Sequence, residues 1–291
     1  MKFAYYPGCS LHSTASDYAQ SITAVFNCLH IELEEIKDWT CCGASSAHVL
    51  NPFLSTLMPA KDIWQAQRMG LDILAPCAAC YNRLRLAAYK LKEKEKLRRR
   101  VAQILKVDGL IKVKVRHISD VVINEYGLEQ ISRHLVKDLK GLPVVCYYGC
   151  LSARPQKIVA FDDPVDPQYL DRLVNTLGGK SLAWPLKTEC CGGSFSISKK
   201  EMVLKLTYEL LSWAKDQGAE AVVVDCPLCQ FNLDSRQGEI ERIYGRTFSL
   251  PIFYFTQLLG LGLGLGNKEL GLEKMNVSPF PLLEERNILK R

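Results

Sequence analysis

Ten of the twelve cysteines in this 291-residue chain fall into two copies of one pattern. Each copy has a single Cys, then a doubled Cys followed by Gly, then a Cys-x-x-Cys pair. In both copies, 34 residues separate the doubled Cys from the Cys-x-x-Cys pair. Between the single Cys and the doubled Cys lie 31 residues in the first copy and 39 in the second. A shared gap between such rare motifs indicates one cysteine-rich unit written twice. The ten residues are Cys9, Cys41, Cys42, Cys77, Cys80, Cys150, Cys190, Cys191, Cys226 and Cys229.

Five thiols per copy favour a multinuclear metal centre. A Cys-x-x-Cys pair at a strand-to-helix turn places two sulfurs where the helix N-terminus stabilises thiolates. Adjacent Cys side chains point apart in an extended segment, so they more readily hold two atoms of a cluster than one ion. Structural zinc and an ordinary [4Fe–4S] cubane each take four ligands. The fifth thiol therefore indicates an iron–sulfur centre of unusual shape or a cubane beside a spare reactive thiol. A zinc site in one or both halves, with a bystander Cys, is the alternative.

The composition is that of an ordinary globular chain. Hydrophobic residues make up 48 % and charged residues 23 %, and the net charge of +6 includes no dense basic stripe, so we expect no nucleic-acid partner. No apolar stretch is long enough to span a membrane, and the N-terminus has no export signal. We therefore expect a cytoplasmic protein, and in a reducing compartment a cysteine-rich pattern favours metal over disulfides.

Predicted strands alternate with predicted helices throughout the chain. The pattern indicates an α/β fold of two pseudo-symmetric repeats, each built of βαβ units around a parallel sheet. We place the boundary near 138–142, giving domains 1–140 and 141–291, the second including the C-terminal tail. Predicted strands cover 2–6, 31–36, 71–75, 112–117, 142–147, 181–184, 219–224 and 251–254. Predicted helices cover 15–29, 54–69, 80–105, 166–177 and 199–216, with further helices after 117, 229 and 254.

The cysteine motifs all follow predicted strands. Ligands of open α/β sheets sit beyond the carboxyl ends of the strands. We therefore expect the cysteines at the C-terminal strand ends, with the five thiols of each half converging on one crevice.

The doubled motif resembles the cysteine-rich CCG domain family, whose best-known member is the B subunit of heterodisulfide reductase. The resemblance covers about 2–240. It implies a pair of CCG domains, each binding a noncubane [4Fe–4S] cluster through five cysteines. One cluster would be held by Cys9, Cys41, Cys42, Cys77 and Cys80. The other would be held by Cys150, Cys190, Cys191, Cys226 and Cys229.

The resemblance also implies an activity. In the family, a substrate disulfide is bound between the two clusters and cleaved, with electrons arriving through partner subunits. We expect the catalytic oxidoreductase subunit of a heterodisulfide-reductase-like complex, with a ferredoxin-like C subunit, a flavin-containing A subunit and a small disulfide or thiol substrate. The chain lacks the ferredoxin run C-x-x-C-x-x-C-x-x-x-C-P, which many glycolate- or lactate-oxidation members carry.

Two other functions stay open. One is an electron-relay CCG subunit of a flavin- or quinone-linked dehydrogenase of the glycolate, lactate or succinate type. The other is a zinc-held scaffold without catalysis.

Several further residues are candidates for a role. His12 and His48 follow ligand cysteines and are possible proton donors, or else side chains that pack or cap a loop. The paired tyrosines before Cys9 and Cys150 are expected to pack, with a substrate contact as the alternative for the second pair. These tyrosines are Tyr5, Tyr6, Tyr147 and Tyr148.

Other motifs are expected to be structural. Cys28 and Cys146 lie outside the scheme and are expected to be small core residues. The glycine-leucine alternation from Gly260 to Gly266 lacks the flanking strand and helix of a dinucleotide site, and a flexible apolar tail that packs on a neighbour is expected there. The charge run from Lys90 to Arg100 predicts a solvated helix face, with docking of an acidic partner as the alternative.

Overall fold

Each half of the chain builds a four-stranded parallel sheet. A computed structural model describes residues 1–44, 47–109 and 112–289. The first sheet has the order β2-β1-β3-β4 and the second the order β6-β5-β7-β8, so the two halves share one topology. The strands are β1 Lys2–Tyr5, β2 Glu32–Glu35, β3 Ile73–Ala75, β4 Val115–His117, β5 Pro143–Tyr147, β6 Lys180–Ser181, β7 Ala221–Val224 and β8 Ile252–Tyr254. The predicted α/β fold of two repeats is confirmed.

Helices connect the strands and cover the sheets. Those of the first half are α1 Gly8–Leu11, α2 Ser16–Cys28, α3 Ala47–Leu50, α4 Leu54–Met69, α5 Ala78–Glu93, α6 Glu95–Leu105, α7 Ile118–Asp120 and α8 Leu128–Arg133. A π-helical stretch, Val121–Gly127, joins α7 to α8. Those of the second half are α9 Gln156–Val159, α10 Tyr169–Thr176, α11 Lys200–Asp216, α12 Pro227–Ser235, α13 Gln237–Tyr244, α14 Phe255–Gly262 and α15 Phe280–Glu285. Short 3₁₀ turns lie at Gly193–Phe195 and Leu272–Lys274.

Runs of apolar residues explain why the central strands lie in the interior of the sheets. All four residues of β7, Ala-Val-Val-Val, are buried, as expected for a parallel strand covered on both faces. It pairs with β5 from Val144 to Tyr147 and with β8 through Tyr254, so the carboxyl ends of these strands meet at one edge. That edge, with its counterpart in the first sheet, carries the cysteine motifs.

The prediction of one continuous helix over 80–105 is wrong. Two helices, α5 and α6, cover this region, and Lys94 between them is extended at φ −114° and ψ 90°. The mixed charges of the run have good helix propensity, so the sequence pattern does not show the break. Lys92, Lys94 and Lys96 are exposed, while Leu91 on the same run is buried. Docking of an acidic partner here stays a prediction.

The expected flexible tail at Gly260–Gly266 is also wrong. All eight residues of α14 are buried, and the helix takes in Gly260, Leu261 and Gly262 of the segment, while 263–266 follow as a turn and loop. Helix α14 packs on α2 of the first half, where the Tyr18 and Tyr254 rings stack at 4.0 Å between centroids. The hydroxyls of Ser21 and Thr256 lie 2.7 Å apart in the same contact. The two halves thus share one core, and the division at 140 and 141 stays a prediction.

Within the described residues, no helix combines the length and the apolar character needed to cross a membrane.

Candidate functional site

The cysteine motifs lie at the C-terminal edges of both sheets. Cys9 sits in α1 just after β1, and Cys150 follows β5. The Cys-x-x-Cys pairs begin helices: Cys77 is the N-cap of α5 and Cys226 the N-cap of α12, both with extended ψ angles of 122° and 123°. Each pair therefore meets the free N–H groups of a helix N-terminus.

The first sulfur set comprises Cys9, Cys41, Cys42, Cys77 and Cys80, and its members are in contact. The Sγ atoms of Cys42 and Cys80 are 3.3 Å apart. Cys41 has Cys9 and Cys42 as its electrostatic neighbours, and Cys80 has Cys77. The backbone N–H of Gly43 also donates to the Cys41 sulfur at 3.4 Å.

The second sulfur set comprises Cys150, Cys190, Cys191, Cys226 and Cys229, and it repeats these contacts. The Sγ atoms of Cys191 and Cys229 are 3.5 Å apart, and the Gly192 N–H donates to the Cys190 sulfur at 3.3 Å. Cys150 is the electrostatic neighbour of Cys190, and Cys229 that of Cys226. The structure thus brings together the predicted thiols of each half.

The two sulfur sets also meet each other. Cys77 and Cys226 lie close enough for each to influence the pKa of the other, although they belong to different halves. They hold equivalent positions, since each is the first Cys of a Cys-x-x-Cys pair at the start of a helix. Both residues are buried, so the contact is screened from water. The two sets therefore form one sulfur-lined seam between the halves.

Glycines allow the chain to approach the sulfurs closely. Gly8 has a φ of +67°, and a Cβ built there would lie 2.9 Å from the Cys80 sulfur. Gly149 has a φ of +64°, and its Cβ would lie 3.1 Å from the Cys229 sulfur. Sequence analysis did not assign these glycines a role, although each precedes the single Cys of its copy. They form a cradle beside each sulfur set that any side chain would fill.

Tyrosines fix the loops before the doubled cysteines. The Tyr6 hydroxyl donates to the Thr40 carbonyl at 2.6 Å, and the Tyr147 hydroxyl donates to the Glu189 carbonyl at 2.7 Å. Both rings are buried, as expected for packing residues. In the first half, the buried carboxylate of Asp62 also accepts from the Thr40 N–H at 2.7 Å. Nothing in the sequence marks Asp62, because it lies in the middle of a helix and has no motif around it.

The same thiol in each set has a lowered pKa. Hydrogen bonds from the Cys42 and Cys9 thiols, with one from the Gly43 N–H, lower the pKa of Cys41. A hydrogen bond from the Cys150 thiol and the Gly192 N–H likewise lower the pKa of Cys190. Thiolates are the form of Cys that binds metals. At this position each set therefore holds a sulfur that its neighbours stabilise as a thiolate, and in the second set the pKa of Cys226 is lowered as well.

The cavities beside the two sets differ in size. A cavity of about 430 Å³ is lined by the whole first set and by Leu228, Phe231 and Arg236 of the second half. The cavity lined by the second set measures about 70 Å³. A larger cavity of about 570 Å³ lies elsewhere on the second half, between Asp171 and Lys187, and no cysteine is among the residues that line it.

Neither candidate histidine is among the residues that line the cavities at the sulfur sets. The His12 Nε2 atom lies 3.3 Å from the Glu35 carboxylate, and its ring stacks on Trp39 at 5.5 Å. His48 lies on α3, with Nδ1 3.4 Å from the Gly43 carbonyl oxygen. Their role as proton donors stays a prediction.

A buried polar network next to Cys226 was not found from the sequence. The Asp225 carboxylate accepts from the hydroxyls of Ser119 at 2.9 Å and Tyr169 at 2.7 Å, and lies 3.7 Å from His117 Nδ1. Burial raises the pKa of Asp225. The network ties the end of β4 to the end of β7, and so fixes the seam between the halves.

The two cysteines outside the scheme lie where core residues were expected. Cys146 is fully buried in β5, 3.7 Å from the Ser181 hydroxyl. Cys28 ends α2 and is half-buried against the core.

The donor set fits a multi-atom group better than a single ion. In the described part of the chain, no three His, Cys, Asp or Glu side chains are grouped around one metal-ion position. Each half instead gathers five thiols around one cavity, with Sγ atoms 3.3 Å apart at Cys42 and Cys80 and 3.5 Å apart at Cys191 and Cys229. Soft thiolates in such numbers are the donors of iron–sulfur clusters.

A family model agrees with this repeat. The cysteine-rich CCG domain matches residues 3–85 and 144–234, one match in each half. Both matches contain all five cysteines of their sulfur set.

Curated relatives match nearly the whole chain. An 8-methylmenaquinol:fumarate reductase membrane anchor subunit of Wolinella succinogenes is 30 % identical over 272 residues, covering 93 % of this chain and 95 % of the relative. The B subunit of a ferredoxin/F(420)H(2)-dependent CoB-CoM heterodisulfide reductase of Methanosarcina acetivorans is 26 % identical over 288 residues, covering 97 % and 96 %. A protein of Archaeoglobus profundus, named as similar to the B subunit of heterodisulfide reductase, is 27 % identical over 272 residues, covering 91 % of each chain.

A solved structure shares the fold. The crystal structure of a hypothetical protein from Helicobacter pylori matches 95 % of this chain with a TM-score of 0.76 and 12 % identity. This chain spans about half of that protein, at 52 %. With the family model matched in both halves, this chain belongs to the cysteine-rich CCG domain family and carries two copies of the domain.

Proposed function

We propose that this chain is the catalytic iron–sulfur subunit of a heterodisulfide-reductase-like complex. It reduces a disulfide or related sulfur compound, or forms one in reverse, at two facing noncubane [4Fe–4S] clusters, one on each sulfur set. The observation that carries the proposal is that the two sulfur sets lie side by side: residues of α12, which begins at the second set, line the cavity of the first set, and Ala78 of α5 lines the cavity of the second. The relatives named after heterodisulfide reductase support the coarser role of an iron–sulfur subunit in a multisubunit reductase.

The reaction requires two electrons at one place. A disulfide R–S–S–R′ takes up two electrons and two protons and yields the thiols R–SH and R′–SH. Bound clusters would supply these electrons, one from each half. The chain's own part is to hold ten sulfurs at one seam, to keep the Cys77–Cys226 contact dry, and to shape the adjoining cavity.

Local structure suits the sulfurs to this task. The helix N-termini at Cys77 and Cys226 and the N–H groups of Gly43 and Gly192 stabilise negative charge on sulfur. Gly8 leaves room at the sulfurs for a bulky inorganic group. We place the protein in the cytoplasm, with electrons delivered by a ferredoxin-like C subunit and a flavin-containing A subunit.

A second function is supported by one relative. The Wolinella succinogenes protein is named for quinol:fumarate reduction and is 30 % identical to this chain. In that role, the two sulfur sets would relay electrons within a quinone-linked dehydrogenase, and no sulfur substrate would bind. A zinc-held scaffold is the third function, and metal analysis separates it from both.

The test is a metal and spectroscopic analysis of protein purified without oxygen. We expect on the order of eight iron and eight sulfide per chain, and EPR signals that change when a thiol is added. Signals that ignore thiols and disulfides would favour the relay. One zinc per half without sulfide would contradict both redox functions.

Single substitutions assign the clusters to the sulfur sets. We expect Cys41→Ala and Cys190→Ala each to remove about half of the iron, with the loss of a different EPR signal. Cys28→Ala is the matched control, because Cys28 lies outside both sets and should leave the iron content unchanged. Loss of both signals from one substitution would contradict the assignment of one cluster to each half.

A further inference from the structure

The net positive charge of the chain is concentrated in one stretch. Residues 90–114 contain ten Lys or Arg and three Asp or Glu, which gives this stretch a net charge of +7. The whole chain has a net charge of +6, so all the other residues together carry a net charge of −1. A surface with such an excess of one sign attracts partners of the opposite sign.

The second repeat has no counterpart of this charge. Counted from the second Cys of each Cys-x-x-Cys pair, the equivalent stretch is 239–251, which contains two Arg and two Glu and has no net charge. The helices differ as well, because α5 has 16 residues and α12 has 9. The longer α5 and the basic α6 that follows it therefore distinguish the first half from the second.

The charged side of α6 faces solvent and is largely unpaired. Val101 on the inner side is fully buried, whereas Lys96 and Arg99 are exposed. Arg99 makes an exposed ion pair with Glu95 at 2.6 Å, a kind of pair that contributes little to stability. In the part of the chain that the structure describes, neither Lys92 nor Lys96 has an ion-pair partner. Their charges are therefore available to another molecule.

Exposed apolar side chains lie beside this basic helix. The Arg100 guanidinium is 4.1 Å from the centre of the Phe53 ring, which lies just before α4. On either side of Phe53 in the chain, Val49 and Leu50 are 73 % and 79 % exposed, and Leu54 is 40 % exposed. Apolar side chains with a polar rim are typical of protein interfaces. We call this surface the docking face, and it consists of Val49, Leu50, Leu54, Lys96, Arg99 and Arg100.

The docking face adjoins the first sulfur set. Helix α3 carries Val49 and Leu50, and it packs on the residue that follows the doubled Cys. His48 Nδ1 lies 3.4 Å from the Gly43 carbonyl oxygen, and a Cβ on Gly43 would lie 3.0 Å from the Ala47 side chain. A molecule bound at the docking face would therefore lie next to the loop that carries the doubled Cys of the first half.

We propose that the docking face binds the electron-delivering partner subunit, and that this partner presents an acidic surface around an apolar patch. This inference rests on the proposed function. The acidic groups of the partner complement the three basic side chains of the docking face, and its apolar patch covers the three aliphatic ones. Binding there brings the partner's electron carrier beside the first sulfur set, from which the second set is reached across the seam.

An anionic membrane also attracts basic helices, but α6 is poorly suited to it. A helix that lies in a membrane surface buries an apolar face in lipid. In α6 that face is already used within the protein, because Val101 is fully buried and Leu97 and Leu105 pack against the same small core. A lipid also has no electron to give to the adjacent sulfur set. The docking face therefore fits a protein better than a membrane.

The first test measures how an acidic bacterial ferredoxin binds the cluster-loaded chain, by surface plasmon resonance. We expect association to slow as salt is added, because salt screens exposed charges. Lys96→Glu combined with Arg99→Glu should slow association at low salt about tenfold or more. The matched control combines Lys205→Glu with Arg242→Glu, which makes the same change of charge at exposed residues of the second half. Equal slowing in both double variants would overturn the inference.

The apolar part of the docking face should act on dissociation instead. We expect Val49→Ser combined with Leu50→Ser to speed dissociation of the ferredoxin about tenfold and to leave the salt dependence unchanged. The control combines Val136→Ser with Val165→Ser, because these side chains are 73 % and 78 % exposed and lie outside the docking face. Unchanged dissociation in the first variant would overturn the inference, since the aliphatic side chains would then lie outside the interface.

Iron analysis and EPR separate this inference from the proposed function. All four double variants should keep their iron and their response to thiols, because none of the substituted residues is a predicted ligand. Signals that ignore thiols, with the ferredoxin still bound at the docking face, would contradict the proposed function alone. Thiol-responsive signals without ferredoxin binding would overturn this inference alone. Binding of phosphatidylglycerol vesicles in place of the ferredoxin would also overturn it and assign the face to a membrane.

Discussion

At the scale of single residues, glycines decide how closely the chain approaches sulfur. Gly8 combines a left-handed φ of +67° with a would-be Cβ only 2.9 Å from the Cys80 sulfur. Gly70 has nearly the same φ, +68°, but no atom lies within 4 Å of its would-be Cβ. Comparing substitutions at the two positions therefore separates the effect of backbone strain from the effect of contact with the sulfur set.

We expect Gly8→Ala to lower the iron content by about half, because the methyl group displaces a sulfur of the first set. Gly8→Ala and the control Gly70→Ala should each lower the free energy of unfolding by about 1–2 kcal/mol through the left-handed φ. Iron analysis and urea denaturation measure the two effects. Equal iron content in both variants would show that the close approach at Gly8 is unimportant for metal binding.

Burial also makes the contribution of Asp17 to stability depend on pH. Burial raises the pKa of Asp17, in the first turn of α2, to about 6, against the opposing effect of hydrogen bonds from the Tyr18 and Asp17 N–H groups. The folded state therefore binds this proton more tightly than the unfolded chain. The contribution of Asp17 to the free energy of unfolding is therefore present at low pH and is lost as the pH rises through about 6.

We expect Asp17→Asn to remove this loss. The variant should exceed the native protein in free energy of unfolding by an amount that grows between pH 4 and pH 7, reaching on the order of 2 kcal/mol. Urea denaturation across this pH range measures the difference. A gain that is the same at every pH would mean that the pKa of Asp17 is equal in the folded and unfolded states.

At the scale of elements, helix α14 depends on a close contact. A Cβ on Gly260 would lie 2.2 Å from Leu270, so the helix and the segment after it touch where the glycine is. The alternation of Gly and Leu predicts a flexible tail, because periodicity alone does not show that the glycines form a contact face. The apolar residues between them complete the shared core against α2.

We expect Gly260→Ala to lower the free energy of unfolding by about 1–3 kcal/mol through overpacking. Gly238→Ala is the control, because Gly238 lies in helix α13 with open space around it. That substitution should leave stability unchanged or raise it by about 0.5–1 kcal/mol through helix propensity. Thermal and urea denaturation measure both. A stable Gly260→Ala variant would argue against the tight packing of α14.

Other elements show where sequence reasoning succeeds and stops. Strand β7 is predictable because four consecutive apolar residues between turn signals leave few alternatives. The break at Lys94 is not, because the residues around it all favour helix. The network of His117, Ser119 and Asp225 also escapes prediction, because it forms between strands that lie far apart in the sequence.

At the scale of the whole molecule, the repeat itself is predictable and its assembly is not. Equal spacing of the cysteine motifs predicts two similar sheets with sulfurs at the same strand ends. No periodicity reports how two halves are oriented, so the contact of Cys77 with Cys226 comes only from the structure. The unequal cavities also need the structure, although the longer gap before Cys190 is visible in the sequence.

The contact of Cys77 with Cys226 has an evolutionary consequence. Two equivalent residues that meet each other lie on a two-fold axis, as in a symmetric dimer where one patch pairs with its own copy. An ancestor with a single unit could have formed the same seam by pairing with a second chain. Symmetry would have forced both of its active sites to be identical. Two copies within one chain are free of that constraint, and the longer connection from Cys150 to Tyr169 is a difference that a symmetric dimer could not carry in one half alone.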